Sequence, residues 1–490
     1  MSAKIKLLLI CLVVASACSR QIESPTVKNN FERPASSEEV LKFSKKLASN
    51  YDFLSYEIIG KSPEGKELIA VKASKSNSDN NLRILIFGQQ HGNEQSSKEC
   101  LLLLIRDMHK YQNWLGFAEI WIVPQVNPEG ADINERRNSN GIDLNRDHVV
   151  LDAPETQALQ LLFQRTLPHV TIDIHEYYPY RESWEDFGGF KNFDVQVGVP
   201  TNINVDERIR EFATYEALPV IERHLNEKGF SFHNYLVGPV PTKGRTRHST
   251  VDVNDGRQSF AIRNTLSFIY EGINGKDGYV ESLERRTYGQ YEAVVALLSL
   301  LVDRSEEVVS IVEQSRSNLI NAKKGEEVVI RMDHFGDGND LFLPLTSSTT
   351  GLDTIVVVDN FHPIVKPLLK VERPEAYLVP ASDSLLFGIL IKHNVEYEIY
   401  NNESADNVYG YYIETIEEVK IEELENRLPE LRKDRITQLD EEYLIVPTAQ
   451  LHSNFIVLIF EPQSMLGLAQ REGFEYLLKE DITYPIFRVE

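Results

Sequence analysis

Ile84-Leu85-Ile86-Phe87, then His91-Gly92-Asn93-Glu94, then a helical pattern from Glu94 to Tyr111: this stretch decides the fold. A short apolar run with no polar alternation reads as a strand buried on both faces. A helix follows it directly. The same alternation recurs downstream. Glu119-Ile120-Trp121-Ile122-Val123 reads as a strand and Pro154 to Gln164 as a helix. Val170-Thr171-Ile172-Asp173-Ile174 and Thr265-Leu266-Ser267-Phe268-Ile269-Tyr270 read as further strands. Strands alternating with helices predict an α/β fold, a mostly parallel mixed sheet flanked by helices. In such sheets ligands bind beyond the carboxyl ends of the strands.

Outward from this centre, helices are predicted near Ser36 to Asn50, Tyr279 to Val302 and Glu306 to Asn321. Near Ala322-Lys323-Lys324-Gly325 the texture changes to shorter β-type runs: Glu327 to Arg331, Thr354 to Val358, Ala376 to Val379, Val395 to Tyr400 and Tyr443 to Val446. Leu458-Ile459-Phe460 reads with Leu444-Ile445-Val446 as a buried strand pattern. The expected organisation is a signal peptide over 1–17, a tether over 18–35, a first domain over 36–322 and a β-rich C-terminal domain over 325–490. A chain of 490 residues is too long for one ordinary core. The C-terminal region carries no chemical constellation. Its expected role is to pack against the first domain or narrow its entrance.

A net charge of −23 leaves no basic surplus to neutralise phosphates, which excludes nucleic acid as the expected partner. Lys4 and Lys6 precede an apolar run from Leu7 to Ala17 that is too short to span a bilayer. This is an export signal. Ala15-Ser16-Ala17-Cys18 resembles a bacterial lipobox, in which Cys18 becomes the lipidated N-terminus; plain cleavage after Ala17 is the alternative. The expected location is periplasmic or outer-membrane-anchored, with membrane contact only through that anchor. Cys100 sits within an apolar run and reads as a buried, inert thiol.

Four polar groups fall at predicted carboxyl ends of strands. His91 and Glu94 stand three residues apart at a strand-to-helix corner, a mixed N/O pair suited to zinc. Read alone, the same residues also fit a helix N-terminus and an ordinary loop histidine. Asn127-Pro128-Glu129-Gly130 and the segment Arg136 to Asp147 follow the next strand. Their three arginines, Arg136, Arg137 and Arg146, suit anion recognition by a planar fork. His175 ends the third strand, with Asp173 available to hold its other nitrogen. Glu271 ends a nearly apolar strand, where desolvation would raise its pKa toward a general base's range.

In this order, H-x-x-E, N-P-x-G, R-x-N-x-x-G-x-D-L-N-R, a strand-end histidine and a strand-end glutamate, the sequence resembles the zinc carboxypeptidase family over roughly Ser55 to Leu300. The resemblance implies one zinc per chain on His91, Glu94 and His175. It implies that Glu271 takes a proton from metal-bound water, and that Arg136, or its neighbour Arg137, stabilises the oxyanion. Asn145 and Arg146 would hold the free C-terminal carboxylate of a peptide substrate. The implied activity is a metallocarboxypeptidase, an exported metalloprotease that hydrolyses the C-terminal peptide bond. A zinc amidohydrolase acting on small N-acyl amino acids uses the same groups, and a non-catalytic binding relative is a third reading.

Two departures stand out. Asp147 and His148 follow Arg146 where many members have Asn-Phe, placing a negative charge beside the carboxylate-binding arginine. The family's mobile tyrosine, some twenty residues before the catalytic glutamate, has no counterpart. Arg247, His248 and Arg257 lie in that stretch, and Tyr177, Tyr178 or Tyr180 would approach from the other side. The charged stretch itself reads mainly as an exposed surface loop.

Overall fold

The strand Leu82–Gly88 is apolar throughout because both of its faces are covered. In the computed structural model, which describes residues 22–75, 82–401, 407–422 and 424–490, Ile84 and Ile86 join one core while Leu85 and Phe87 join another on the opposite face. Eight strands form this sheet: β1 (Leu54–Lys61), β2 (Glu67–Ala73), β3 (Leu82–Gly88), β4 (Ala118–Val123), β5 (Val170–Tyr177), β6 (Val195–Gly198), β7 (Phe232–Asn234) and β8 (Leu266–Ile273). Their order is β1-β2-β4-β3-β5-β8-β6-β7. The central strands β4, β3, β5 and β8 are mutually parallel. Antiparallel pairings lie at β1-β2, β2-β4 and β8-β6. This is the mostly parallel mixed sheet of the expected α/β class.

Helices Gln95–Asp107 and Leu283–Asp303 supply Leu101, Leu104, Val294 and Leu297 to the larger core. Helices Pro154–Thr166 and Gly256–Ala261 cover the other face through Leu159, Leu162, Phe163 and Phe260. The helix Ser37–Asn50 starts where expected because Ser36 and Glu39 form a capping box.

The chain beyond 325 is β-rich, with long strands Val408–Ile421 and Leu424–Arg435 pairing as a hairpin. Two local expectations fail there. The apolar run ending at Phe460 is a fully buried helix, Ser453–Phe460, not a strand. A helix surrounded on all sides is apolar all round, so its sequence shows no period. Of Val395 to Tyr400 only Glu398–Ile399 is strand.

The two parts of the chain share structure. Val149, Val251, Val253 and Ile262 belong to the same core as Val328, Ile389 and Phe455. Strand Gly189–Lys191 pairs with Leu341–Ser347, and Thr246–His248 pairs with Phe361–His362. Residues 22–35 correct the tether expectation: Ser24 and Ala35 are buried, Ile22 and Val27 pack on the main core, and Arg106 pairs with Glu23. The signal segment and Cys18 lie outside the described residues. Cys100 is buried, as expected, and burial pushes its thiol pKa up. No helix among the described residues is long and apolar enough to cross a membrane.

Candidate active site

His91 lies in the loop after β3, and Glu94 is the residue before helix Gln95–Asp107. Gly92 between them touches the neighbouring loop so closely that an added Cβ would stand 2.1 Å from the Gly130 carbonyl carbon. Only glycine lets the Asn127–Arg137 segment cross there. His175 lies within β5, which runs on to Tyr177, and Glu271 lies within β8.

The fold brings these residues together. His91 Nδ1 is 2.7 Å from Glu94 Oε1, and His175 Nδ1 is 2.9 Å from Glu94 Oε2. The two Nδ1 atoms are 3.1 Å apart. Both rings are held from behind by carboxylates: His91 Nε2 is 3.0 Å from Asp143 Oδ1, and His175 Nε2 is 2.9 Å from Asp173 Oδ1. All five side chains are buried. Burial alone would raise the Glu94 pKa, but His91 and His175 beside it hold it below the ordinary carboxylate range. Burial would lower His175, yet Asp173 and Glu94 raise it well above its usual value.

The donor set fits a divalent metal. One nitrogen from each ring and a carboxylate oxygen lie within 4.8 Å of one another. Two like ring nitrogens face each other, an arrangement that a cation between them satisfies. Two imidazoles and one carboxylate, each ring backed by a carboxylate, suit zinc.

Beside this cluster lies a cavity of about 400 Å³ lined by His91, Glu94, Arg136, Asn145, Arg146 and Glu271, among others. The Arg136 guanidinium is anchored to Asp143 at 2.9 Å and reaches within 3.2 Å of His91 Nδ1. Asn145 Oδ1 accepts from the Gly256 backbone N–H at 2.7 Å and from Gln90 Nε2 at 3.3 Å. Its Nδ2 makes no hydrogen bond among the described residues. Arg146 is exposed to the cavity and donates to the Asn145 carbonyl at 2.6 Å. Glu271 is buried, and burial pushes its pKa up to about 7, opposed by His175 and reinforced by Glu94.

Other expected residues fall elsewhere. Arg137 does not reach the cavity: it is exposed and donates to the Gly141 carbonyl of its own loop. Asp147 turns away from Arg146 and accepts from the Asp152 and Ala153 backbone, both at 2.8 Å. Arg247 is buried, not an exposed loop residue, and faces Glu422 of the C-terminal hairpin at 3.4 Å. Arg257 is buried and paired with Asp255 at 2.9 Å. Tyr177 and Tyr178 line the cavity.

Two residues escaped the sequence reading. Asp143 joins His91 to Arg136, and its place in the D-L-N-R segment was the available signal. Tyr235 lines the cavity near Glu271 and favours its charged carboxylate. It lies 36 positions before Glu271 (271 − 235 = 36), so a search some twenty residues upstream passes it by.

A buried two-histidine, one-carboxylate cluster beside an arginine-lined cavity, at the strand ends of an α/β sheet, has the donor set of a divalent-metal site. Residues 40–166 match the family model described as zinc carboxypeptidase. The matched stretch contains His91, Glu94, Arg136, Asn145 and Arg146; the sheet brings His175 and Glu271 to it. The chain is similar to carboxypeptidase 2 of Trichophyton rubrum, 26% identical over 71% of this chain and 66% of that protein, just under two thirds of its length. It is likewise 26% identical to carboxypeptidase 2 of Trichophyton tonsurans, over 93% of this chain and 87% of that one. Among solved structures it is similar to a metallo-carboxypeptidase from Pseudomonas aeruginosa, with 20% identity, 56% of this chain and 70% of that chain covered, and a TM-score of 0.44.

Proposed function

We propose that this protein is a zinc metallocarboxypeptidase that hydrolyses the C-terminal peptide bond of peptides. The observation that carries the reading is the shared cavity. The His91, Glu94 and His175 cluster, Glu271, and the pair Asn145 and Arg146 all line it or adjoin it. Zinc held by His91, Glu94 and His175 would supply Lewis-acid polarisation of the scissile carbonyl and of water.

The chain's own groups do the rest. Arg146 and the Asn145 Nδ2 receive the substrate's terminal carboxylate, which fixes the final peptide bond in register. Glu271 takes the proton of the attacking water on its carboxylate and passes it to the leaving amine nitrogen. Burial keeps its proton affinity near neutrality, so it can both accept and release. Tyr235, on the same cavity wall, favours the charged form of that carboxylate. Arg136, steadied by Asp143, directs positive charge at the carbonyl oxygen as it becomes negative.

The test joins metal content to turnover. Wild-type protein is expected to hold about one zinc per chain, and His175→Ala to lose it. Wild type should cleave peptides with a free C-terminus and spare the same peptides as C-terminal amides. Absence of stoichiometric metal after zinc is restored, or equal cleavage of acids and amides, would overturn the reading.

A further inference from the structure

The cavity lining carries two cations that the proposed chemistry does not use, Lys191 and Arg181. Lys191 Nζ donates to the Leu236 carbonyl at 3.0 Å and lies 5.4 Å from the Trp184 ring centroid, with no carboxylate oxygen within 4 Å among the described residues. The exposed Arg181 side chain makes no hydrogen bond or ion pair among them. Every acid lining the same cavity is engaged. Glu94 belongs to the metal cluster, Glu176 is paired with Arg286 at 2.7 Å, Asp255 with Arg257 at 2.9 Å, and Glu271 is the proton carrier. Of the other two cations, Arg136 is tied to Asp143 and Arg146 is assigned to the terminal carboxylate. Lys191 and Arg181 also repel one another. Burial and that repulsion lower the Lys191 pKa to about 8, against the pull of Glu271. A bound anion would relieve both costs.

We propose that the cavity selects peptides whose C-terminal residue carries a second, side-chain carboxylate, with Lys191 and Arg181 as the specificity pair. The proposal rests on the carboxypeptidase reading for its peptide context, but the charge complementarity is a separate property. Trp184, Leu236 and Tyr178 surround the pair with apolar and aromatic surface, which strengthens a charged contact made there. A basic C-terminal side chain would meet two like charges. A neutral one would leave them unpaired.

The test compares N-acylated dipeptides ending in glutamate, glutamine, leucine and lysine. Wild type should favour glutamate over glutamine by about tenfold or more in kcat/KM, the usual worth of a hydrogen bond to a charged group. Lys191→Met should lose that preference while leaving the leucine substrate nearly unchanged, and Lys191→Arg should keep it. Arg181→Gln should weaken it. Binding of N-acetylglutamate against N-acetylglutamine is measured in parallel by calorimetry on zinc-loaded Glu271→Gln protein. Selective glutamate binding with no hydrolysis of any peptide would uphold the basic, acid-selecting pocket and remove the peptidase reading. Hydrolysis that favours leucine or lysine, or equal losses on all four substrates in Lys191→Met, would overturn the specificity pair and leave the peptidase reading standing.

Discussion

Glu271 sits directly opposite His175 across the parallel pair β5 and β8. The residue proposed to move a proton is therefore fixed against a proposed metal ligand by sheet register, not by a loop. A one-residue register slip of β8 against β5 would turn Glu271 to the face away from His175. Glu271→Gln is expected to retain zinc and lose about 10²–10⁴-fold in kcat. Glu271→Asp, which withdraws the carboxylate by one methylene, should be impaired nearly as much. Metal analysis beside single-turnover rates separates the two effects.

The acid limb of kcat/KM follows from the same group. Glu271 must be ionised to accept a proton, so activity rises with pH. Its pKa, raised to about 7, marks the upper bound of that limb. A cation on the neighbouring cluster favours the carboxylate and moves the limb lower. A rate that falls as pH rises through neutrality would argue against Glu271 as the base.

Asp143 and Asp173 stand behind the two rings, and their removal is expected to weaken metal binding without abolishing it. Asp173→Asn and Asp143→Asn should each lower zinc affinity about 10–100-fold, read by competition with a chelator. Asp143→Asn should cost more turnover, because it also releases Arg136.

Arg146→Lys is expected to raise KM for free-carboxylate peptides, since an ammonium cannot reproduce the guanidinium fork. Arg137→Ala should leave kcat and KM unchanged, as its side chain serves only its own loop. The contrast is measured on one substrate with both variants.

Buried histidines should cost the fold stability in acid. His169 and His248 are held neutral by burial, with pKa values lowered to about 4, and burial lowers His393 well below the ordinary value. The unfolded chain takes up these protons near pH 6.5 and the folded one does not. Their contribution is therefore present above that pH and lost below it, at roughly 1.4 kcal/mol per pH unit for each histidine. Glu155 and Glu271, whose raised pKa values favour the folded state in acid, run the other way over pH 4.5 to 7, so the histidine contribution is read as the difference in urea midpoints between wild type and a histidine variant from pH 6.5 to 4. Relative to wild type, His248→Gln should lose less stability over that range.

The central sheet and most proposed site residues were legible because their signals are local. An apolar run such as Ile84 to Phe87, followed by a glycine-eased corner with His91 and Glu94, reports a doubly covered strand and a convergent pair at once. Arg137 could not be separated from Arg136, since adjacent residues in an irregular loop carry no period to say which faces the cavity. Tyr235 and Lys191 were invisible for another reason. Tyr235 lies between two strands of three and two residues and Lys191 ends one of three, elements too short to announce themselves, and only the tertiary fold brings both residues near Glu271. Arg247 looked like a solvated charge because its partner, Glu422, comes 175 positions later (422 − 247 = 175).

Lys191 is paired through its backbone with Leu345, a residue from the β-rich part of the chain. The wall that faces the substrate is thus stitched from both ends of the polypeptide. A chain cut near residue 325 would keep every proposed metal ligand and lose the seam that holds Lys191 in place. Chemistry and discrimination would then come apart: whatever hydrolysis survived such a cut would be expected to be indifferent to the side chain it removes.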